Sequence, residues 1–224
     1  MNQKRPTDAT PSRRKILLVD DHPVLRQGLV ALIDREADLT VCGEAASADE
    51  AMQVVERAKP DLVILDLSLQ GKPGLEVIKD LGARFPEILV LVLSMHDEIL
   101  WAERVLRAGA CGYVMKQESP RNLVAIIRRA LAGETCVSEK IASNLLRKIG
   151  GTRTARTNPE DGLGDRELEV LQLISQGLST REIAAALHIS VRTVDAHREH
   201  IKHKLNLSSG DELLRYAVLR FLEK

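Results

Sequence analysis

Four short apolar runs, each followed by a residue able to do chemistry, set the strongest limit on how this chain folds. Lys15–Val19 (KILLV) leads into Asp20 and Asp21, and Leu62–Leu65 (LVIL) into Asp66. Ile88–Leu93 (ILVLVL) leads into Ser94, and Gly112–Met115 (GYVM) into Lys116. Short runs rich in β-branched residues read as strands buried on both faces of a parallel sheet. Leu39–Glu44 fits one more strand. Helical patterns lie between them, near Val24–Arg35, Ala48–Ala58, Leu75–Arg84, Glu98–Arg107 and Pro120–Ala132. Two of these open on clear signals, the capping box Ser47-x-x-Glu50 and the cap Ser119 followed by Pro120. Successive βα units predict an α/β, flavodoxin-like (βα)5 sheet, doubly wound in the order 2-1-3-4-5.

In such a sheet, ligands bind beyond the carboxyl ends of the strands. Asp20, Asp21, Asp66, Ser94 and Lys116 would therefore share one pocket. Three carboxylates so close oppose one another's ionisation. A hard cation relieves this, and Mg²⁺, which takes about six oxygens and keeps several waters, suits the set. Asp66 then serves as nucleophile toward phosphorus, forming an acyl phosphate. Lys116 neutralises one phosphoryl oxygen and Ser94 donates a hydrogen bond to another. The plainer alternative is that Asp20 and Asp21 only cap a helix, since Asp21-His22-Pro23 carries Pro at a first helical position. The joint placement of all five residues favours the site.

Residues 15 to about 133 resemble the receiver domain of bacterial two-component response regulators. The matching residues are the pair Asp20-Asp21, Asp66 in LVILDL, Ser94 in LVLSM, and Tyr113 with Lys116 in GYVMK. The resemblance implies Mg²⁺ held by Asp21, Asp66 and the backbone carbonyl of Ser68, with Asp20 helping through water. It implies a sensor histidine kinase as donor, a shift of Ser94 toward the new phosphoryl group, and Tyr113 turning inward behind it. Two positions depart from the pattern. Gln70 stands where receivers usually carry Pro, with Pro73-Gly74 arriving later, and Gln117 follows the lysine where many have a cis Pro.

The last third has a different grammar, with helical patterns and no strand candidates. Asp165–Gln176 stops at Gly177, Ser179-x-x-Glu182 opens a short helix, Ser190 caps Val191–Lys204, and Ser209-x-x-Glu212 opens a final helix ending near Leu222. Such a small bundle contains a helix-turn-helix. At roughly 100° per residue, Val194, Ile201 and Leu205 of its third helix face the core. Arg192, Ala196, Glu199 and His203 then face outward, flanked by Asp195, His200 and Lys202. Arg198 lies nearer the core edge, where its stem can reach a phosphate. A solvated face with local ion pairs has the same pattern.

The segment LGDRELEVLQLISQGLSTREIAAALHISVRTVDAHREHIKHKL resembles the LuxR-type DNA-binding domain in its REIA, its IS-x-x-TV and its H-x-x-x-I-x-x-KL. A receiver followed by this module is the architecture of the NarL/FixJ group of transcriptional regulators. The resemblance implies double-stranded promoter DNA as ligand and RNA polymerase as a further partner. It implies DNA contacts from Arg192, Thr193, Asp195, Ala196, Arg198 and Glu199; Ser190, Lys202 and His203 complete the candidate set. Asp195 stands where family members often carry Lys, and Gly164-Asp165 where Thr-Pro often opens the first helix.

The domain expectation is a disordered arm over 1–13, a receiver over 14–133, a linker with a helix at Glu139–Ile149 over 134–161, and the DNA-binding domain over 162–224. Net charge is zero, with a basic arm and tether and an acidic receiver. The DNA-binding third is near neutral, so each monomer would bind modestly and a homodimer would supply the rest. The final helix offers Leu213, Tyr216 and Ala217 as dimer contacts, each of which fits the bundle core at least as well, and the first, fourth and fifth helices of the receiver are rival surfaces. The flexible tether would let the receiver cover the recognition helix in one state and release it in another. Aromatics make up 2% of the chain, too few for base stacking on single strands. Three widely spaced cysteines read as reduced thiols. With no leader or long apolar run, a cytoplasmic protein free of the membrane is expected. The chain is expected not to be an enzyme beyond slow self-dephosphorylation. An aspartyl-phosphate hydrolase would need an acid two residues after the nucleophile, where Ser68 stands. A receiver used only for docking, on a phosphate-independent regulator, is the other alternative.

Overall fold

The computed structural model describes residues 13–69, 72–149 and 159–222. The arm 1–12, Gln70 and the tether 150–158, each of which carries an expectation above, lie outside the described residues. Strands β1 (Arg14–Val19), β2 (Leu39–Ala45), β3 (Leu62–Leu65), β4 (Leu89–Ser94) and β5 (Gly112–Met115) form one parallel sheet in the order β2-β1-β3-β4-β5. This is the flavodoxin-like order the repeating pattern predicts.

Side-chain alternation explains why the runs are apolar throughout. Ile16, Leu18, Ile64 and Leu93 pack on one face against α1 (Pro23–Ile33) and α5 (Pro120–Leu131). Leu17, Val19, Val63 and Val92 pack on the other with α2 (Ala48–Ala58), α3 (Gly74–Arg84) and α4 (Glu98–Arg107), where Trp101 is fully buried. Ser47 and Ser119 cap α2 and α5 as their motifs require. Gly74 opens α3 where a Cβ would lie 2.6 Å from the Leu67 Cα, so glycine lets that helix start close against Leu67. No peptide bond among the described residues is cis, so Gln117 follows Lys116 in the ordinary way. Helix α6 (Glu139–Ile149) packs on α4 through the buried Ile141.

The second body is the helical bundle α7 (Asp165–Ser175), α8 (Thr180–Ala186), α9 (Val191–Leu205) and α10 (Gly210–Leu222). Glu167 accepts the Gly164 N–H at 2.7 Å and so supplies the cap that glycine lacks. Val194 and Ile201 are fully buried, as the helical spacing requires. The dimer contacts expected on α10 need correction. Leu213 and Ala217, spaced i and i+4, lie fully buried in the bundle core, and Tyr216 is half-buried with its hydroxyl on Glu160. The apolar side chains that α10 turns outward are Leu214 and Leu219.

A short turn at Pro159–Gly162, which no sequence pattern marked, precedes α7. Its Glu160 is 1% exposed and accepts from the Tyr216 hydroxyl at 2.5 Å and from Arg220 Nε at 2.8 Å. Truncating a buried acceptor leaves both donors unsatisfied. Glu160→Ala should therefore lower the unfolding free energy by about 2–3 kcal/mol, read from urea midpoints. Glu160→Gln, which keeps an acceptor, should cost less.

Candidate phosphoacceptor site and nucleic-acid interface

The loops after β1, β3, β4 and β5 deliver the site because each functional residue follows immediately on paired backbone. Asp66 N–H donates to the Val19 carbonyl at 2.8 Å, Asp20 N–H to that of Ala45 at 3.1 Å, and Lys116 N–H to that of Ser94 at 2.9 Å. Asp20, Asp66 and Ser94 are buried. Lys116 Nζ bridges Asp66 Oδ2 and Asp20 Oδ2, at 2.7 Å from each. Burial works against the Lys116 charge, but Asp66 and then Asp20 outweigh it and raise its pKa above the usual lysine value. Asp66 Oδ1 and Asp21 Oδ1 are buried without an aligned hydrogen bond. Asp20, Asp21, His22 and Asp66 each offer a ligand atom within 4.8 Å of the others. His22, which the motif reading passed over, lies with Nδ1 2.8 Å from Asp21 Oδ1.

Tyr113 already points inward, 3% exposed, and its hydroxyl donates to the His96 carbonyl at 2.7 Å. Burial pushes its phenol pKa well up. Ser68 is exposed, and its Oγ lies 2.9 Å from His96 Nε2. The three cysteines are free, and burial pushes the Cys111 thiol up to about 11, so it stays protonated at neutral pH.

Helix α7 sits directly above these loops. A cavity of about 140 Å³ lies between Asp21, Ser68 and His96 on one side and Arg166, Glu169 and Leu173 on the other. Burial raises the Glu169 carboxyl pKa despite the nearby Arg166. His96 Nδ1 lies 2.5 Å from Gln172 Oε1. Arg104 of α4 donates to Asp165 Oδ1 at 2.8 Å and to the carbonyls of Glu160 and Leu163 at 3.0 and 2.8 Å. None of these inter-domain partners was legible as a motif. Their only sequence signal is that His96 lies two residues beyond Ser94, in a loop at the functional edge of the sheet.

Along α9, Arg192, Thr193, Asp195, Ala196, Glu199 and His203 are exposed, while Arg198 and Lys202 are half-buried. Ser190 caps the helix by accepting the Thr193 N–H at 3.0 Å. Lys202 pairs with Glu199 at 2.9 Å. Of the two states the tether would allow, the docked one here leaves most of this face uncovered. The receiver meets the bundle through α7 and the end of α8, its Pro73 and Glu76 border a second cavity with His197, His200 and Lys204 of α9, and the face of α9 carrying Arg192, Asp195, Ala196, Glu199 and His203 stays exposed. Among the described residues no helix is long and apolar enough to cross a membrane.

Comparison with known proteins agrees with this architecture. Residues 16–128 match the response regulator receiver domain family, and residues 161–217 the bacterial regulatory proteins of the luxR family. The chain is 37% identical over 213 residues to the oxygen regulatory protein NreC of Staphylococcus carnosus, covering 93% of this chain and 98% of that protein. The NreC protein of Staphylococcus aureus is 39% identical with the same coverage. Among solved structures, RcsB of Salmonella typhimurium aligns with a TM-score of 0.67 at 27% identity, over 92% of this chain and 97% of that one. RcsB of Salmonella enterica serovar Typhimurium, bound to promoter rprA in the presence of the phosphomimetic BeF3−, aligns at 0.61 with 28% identity, over 92% and 98%. The fold, the acidic edge of the sheet and these matches together place the chain among the NarL/FixJ response regulators, which join a receiver domain to a LuxR-type DNA-binding domain.

Proposed function

We propose that Asp66 accepts a phosphoryl group from a phosphohistidine of a sensor kinase, and that the phosphorylated chain dimerises and binds promoter DNA through α9. The observation that carries this reading is the state of Asp66, with one oxygen held by Lys116 and the other buried without a partner. Leaving a buried acceptor unsatisfied costs on the order of 1–3 kcal/mol, and bonding to phosphorus puts that oxygen to use. RcsB, a structural neighbour, is bound to promoter DNA in the presence of a phosphomimetic, which supports carrying the switch to this chain.

A divalent cation fits the same residues. Asp66 Oδ1, buried without a hydrogen-bond partner, faces a cluster rich in oxygen donors that includes the Asp20 and Asp21 carboxylates, the chemistry Mg²⁺ requires. Asp21, Asp66 and the Ser68 carbonyl would hold it, with Asp20 acting through water. Bound there, the ion neutralises charge on the transferring oxygens. The chain's own groups do the rest. Asp66 Oδ1 attacks phosphorus as the P–N bond of the donor breaks, and the bonding pair stays with the leaving imidazole. Lys116 moves its charge from Asp66 to a phosphoryl oxygen, and Ser94 donates its hydroxyl hydrogen to another. Loss of the phosphoryl group is slow, since Ser68 offers no carboxylate to take a proton from attacking water.

On DNA, two α9 helices would enter major grooves at half-sites one turn apart. The copies would pair through the outward Leu214 and Leu219 of α10, with RNA polymerase as the further partner. Sedimentation and duplex binding with and without Mg²⁺ and acetyl phosphate test the reading. Doubled mass with tighter binding is expected, and no change in either would reject it. Arg198→Ala should weaken binding about equally across sequences and flatten the salt dependence of log K by about one. Asp195→Ala should instead relax preference at one base pair, by roughly 1–3 kcal/mol.

A further inference from the structure

His96 is where the acceptor site and the DNA-binding domain meet. Its backbone N–H donates to Ser94 Oγ at 3.2 Å, and its carbonyl accepts the Tyr113 hydroxyl at 2.7 Å. One ring nitrogen is 2.9 Å from Ser68 Oγ, and the other is 2.5 Å from Gln172 Oε1 in α7. The ring also packs on Trp101, with centroids 5.0 Å apart. Because the amide oxygen of Gln172 can only accept, Nδ1 carries the hydrogen. In the neutral ring Nε2 then accepts the hydroxyl hydrogen of Ser68. Of the three hydroxyls that hold His96, that of Ser68 lies two residues after Asp66, and that of Ser94 ends the strand paired with the one leading into Asp66.

We propose that the Ser68–His96–Gln172 chain is a latch that holds α7 over the acceptor site, and that phosphorylation of Asp66 opens it. The inference rests on the phosphorylation reading above and names how it is transmitted. A phosphoryl group on Asp66 brings several charged oxygens beside Ser68 and Ser94, and a charged acceptor outcompetes a neutral imidazole for a hydroxyl hydrogen. The Ser68 hydrogen turns to the phosphoryl group, and Ser94 shifts toward it and away from the His96 N–H. His96 loses the support that fixes its tautomer and ring position, so its bond to Gln172 goes with it. Arg104 still grips the turn before α7 from α4, so the bundle swings about that attachment rather than leaving at once. The coupling is reciprocal. A chain whose latch is broken is already biased toward the open arrangement.

Amide hydrogen exchange of α7 in the full-length chain reads the latch directly. Wild type, His96→Ala, Gln172→Ala and the double variant are compared, each with and without Mg²⁺ and beryllium fluoride. Trp101 fluorescence serves as a second readout, since it is the only tryptophan. Unphosphorylated His96→Ala and Gln172→Ala should each expose α7 roughly 3- to 10-fold faster, the range expected for one hydrogen bond. The double variant should add little to either single one. Gln172→Glu, which keeps an acceptor at that position, should restore slow exchange. Because Gln172 lies in the other domain, damage to the receiver fold cannot produce its effect. If beryllium fluoride opens wild type while both single variants stay as protected as wild type, the latch is wrong and the switch stands. If beryllium fluoride leaves α7 of wild type protected, the latch is wrong; if the same samples also show no rise in mass and no gain in DNA affinity, the phosphorylation reading itself fails.

Discussion

Asp66→Asn should take up no phosphoryl group from acetyl phosphate and Mg²⁺ under conditions that label wild type stoichiometrically. Intact-mass spectrometry reads the result as presence or absence. The amide keeps the volume and the bond from Lys116 but lacks the charged oxygen that attacks phosphorus. The fold should survive, because Asn can still accept from Lys116 Nζ. DNA binding by the variant should stay at the resting level with or without the donor. A wild type that also gained no affinity with the donor would mark the receiver as a docking module indifferent to phosphate. An adduct persisting on the variant would move the acceptor to another side chain.

Lys116→Ala should give the largest loss of stability from a single change at the site. Its ammonium bridges Asp20 and Asp66, and its side chain is 8% exposed. Removing one partner of a buried ion pair costs about 3–5 kcal/mol, because the charges left behind are neither solvated nor paired. Here two carboxylates remain against each other. Urea unfolding should show that loss in a chelating buffer and partial recovery with millimolar Mg²⁺, which substitutes for the missing charge. The pH dependence has a definite sign. The folded lysine pKa is raised, so its contribution is complete below the unfolded value, about 10.4, and is lost only as pH rises through the folded value. The deficit of the variant should therefore be flat from neutral pH to about 9. A deficit unaffected by Mg²⁺ would mean that the cation binds elsewhere.

The receiver was legible because its physics is local. A strand buried on both faces leaves an apolar run, and a residue at the carboxyl end of such a run must point into the crevice. Asp20, Asp66, Ser94 and Lys116 met those conditions independently, and the structure brings them together. The caps of α2, α5, α8 and α9 were legible for the same reason, since Ser and its partner N–H lie three residues apart. Contacts between the bodies left no such trace. His96 and Gln172 are 76 residues apart, and neither disturbs the periodicity of its own element. Helix α10 shows the limit from another side. It is apolar around much of its circumference, so counting apolar residues could not separate the inward row of Leu213 and Ala217 from the outward Leu214 and Leu219. That distinction depends on the angle at which α7 crosses it.

The open face of α9 bears on kinetics. A resting regulator whose reading helix is unobstructed can meet, slide along and leave DNA at the same encounter rate as an active one, because that rate depends on charge and access. If phosphorylation pairs the chain as proposed, activation acts on residence time. A lone copy departs quickly from its half-site, and a joined pair must release two grips at once. Under the proposed switch, the unphosphorylated population would be a reserve already dispersed over the chromosome, and the response to a stimulus would be limited by pairing on DNA rather than by diffusion to the promoter.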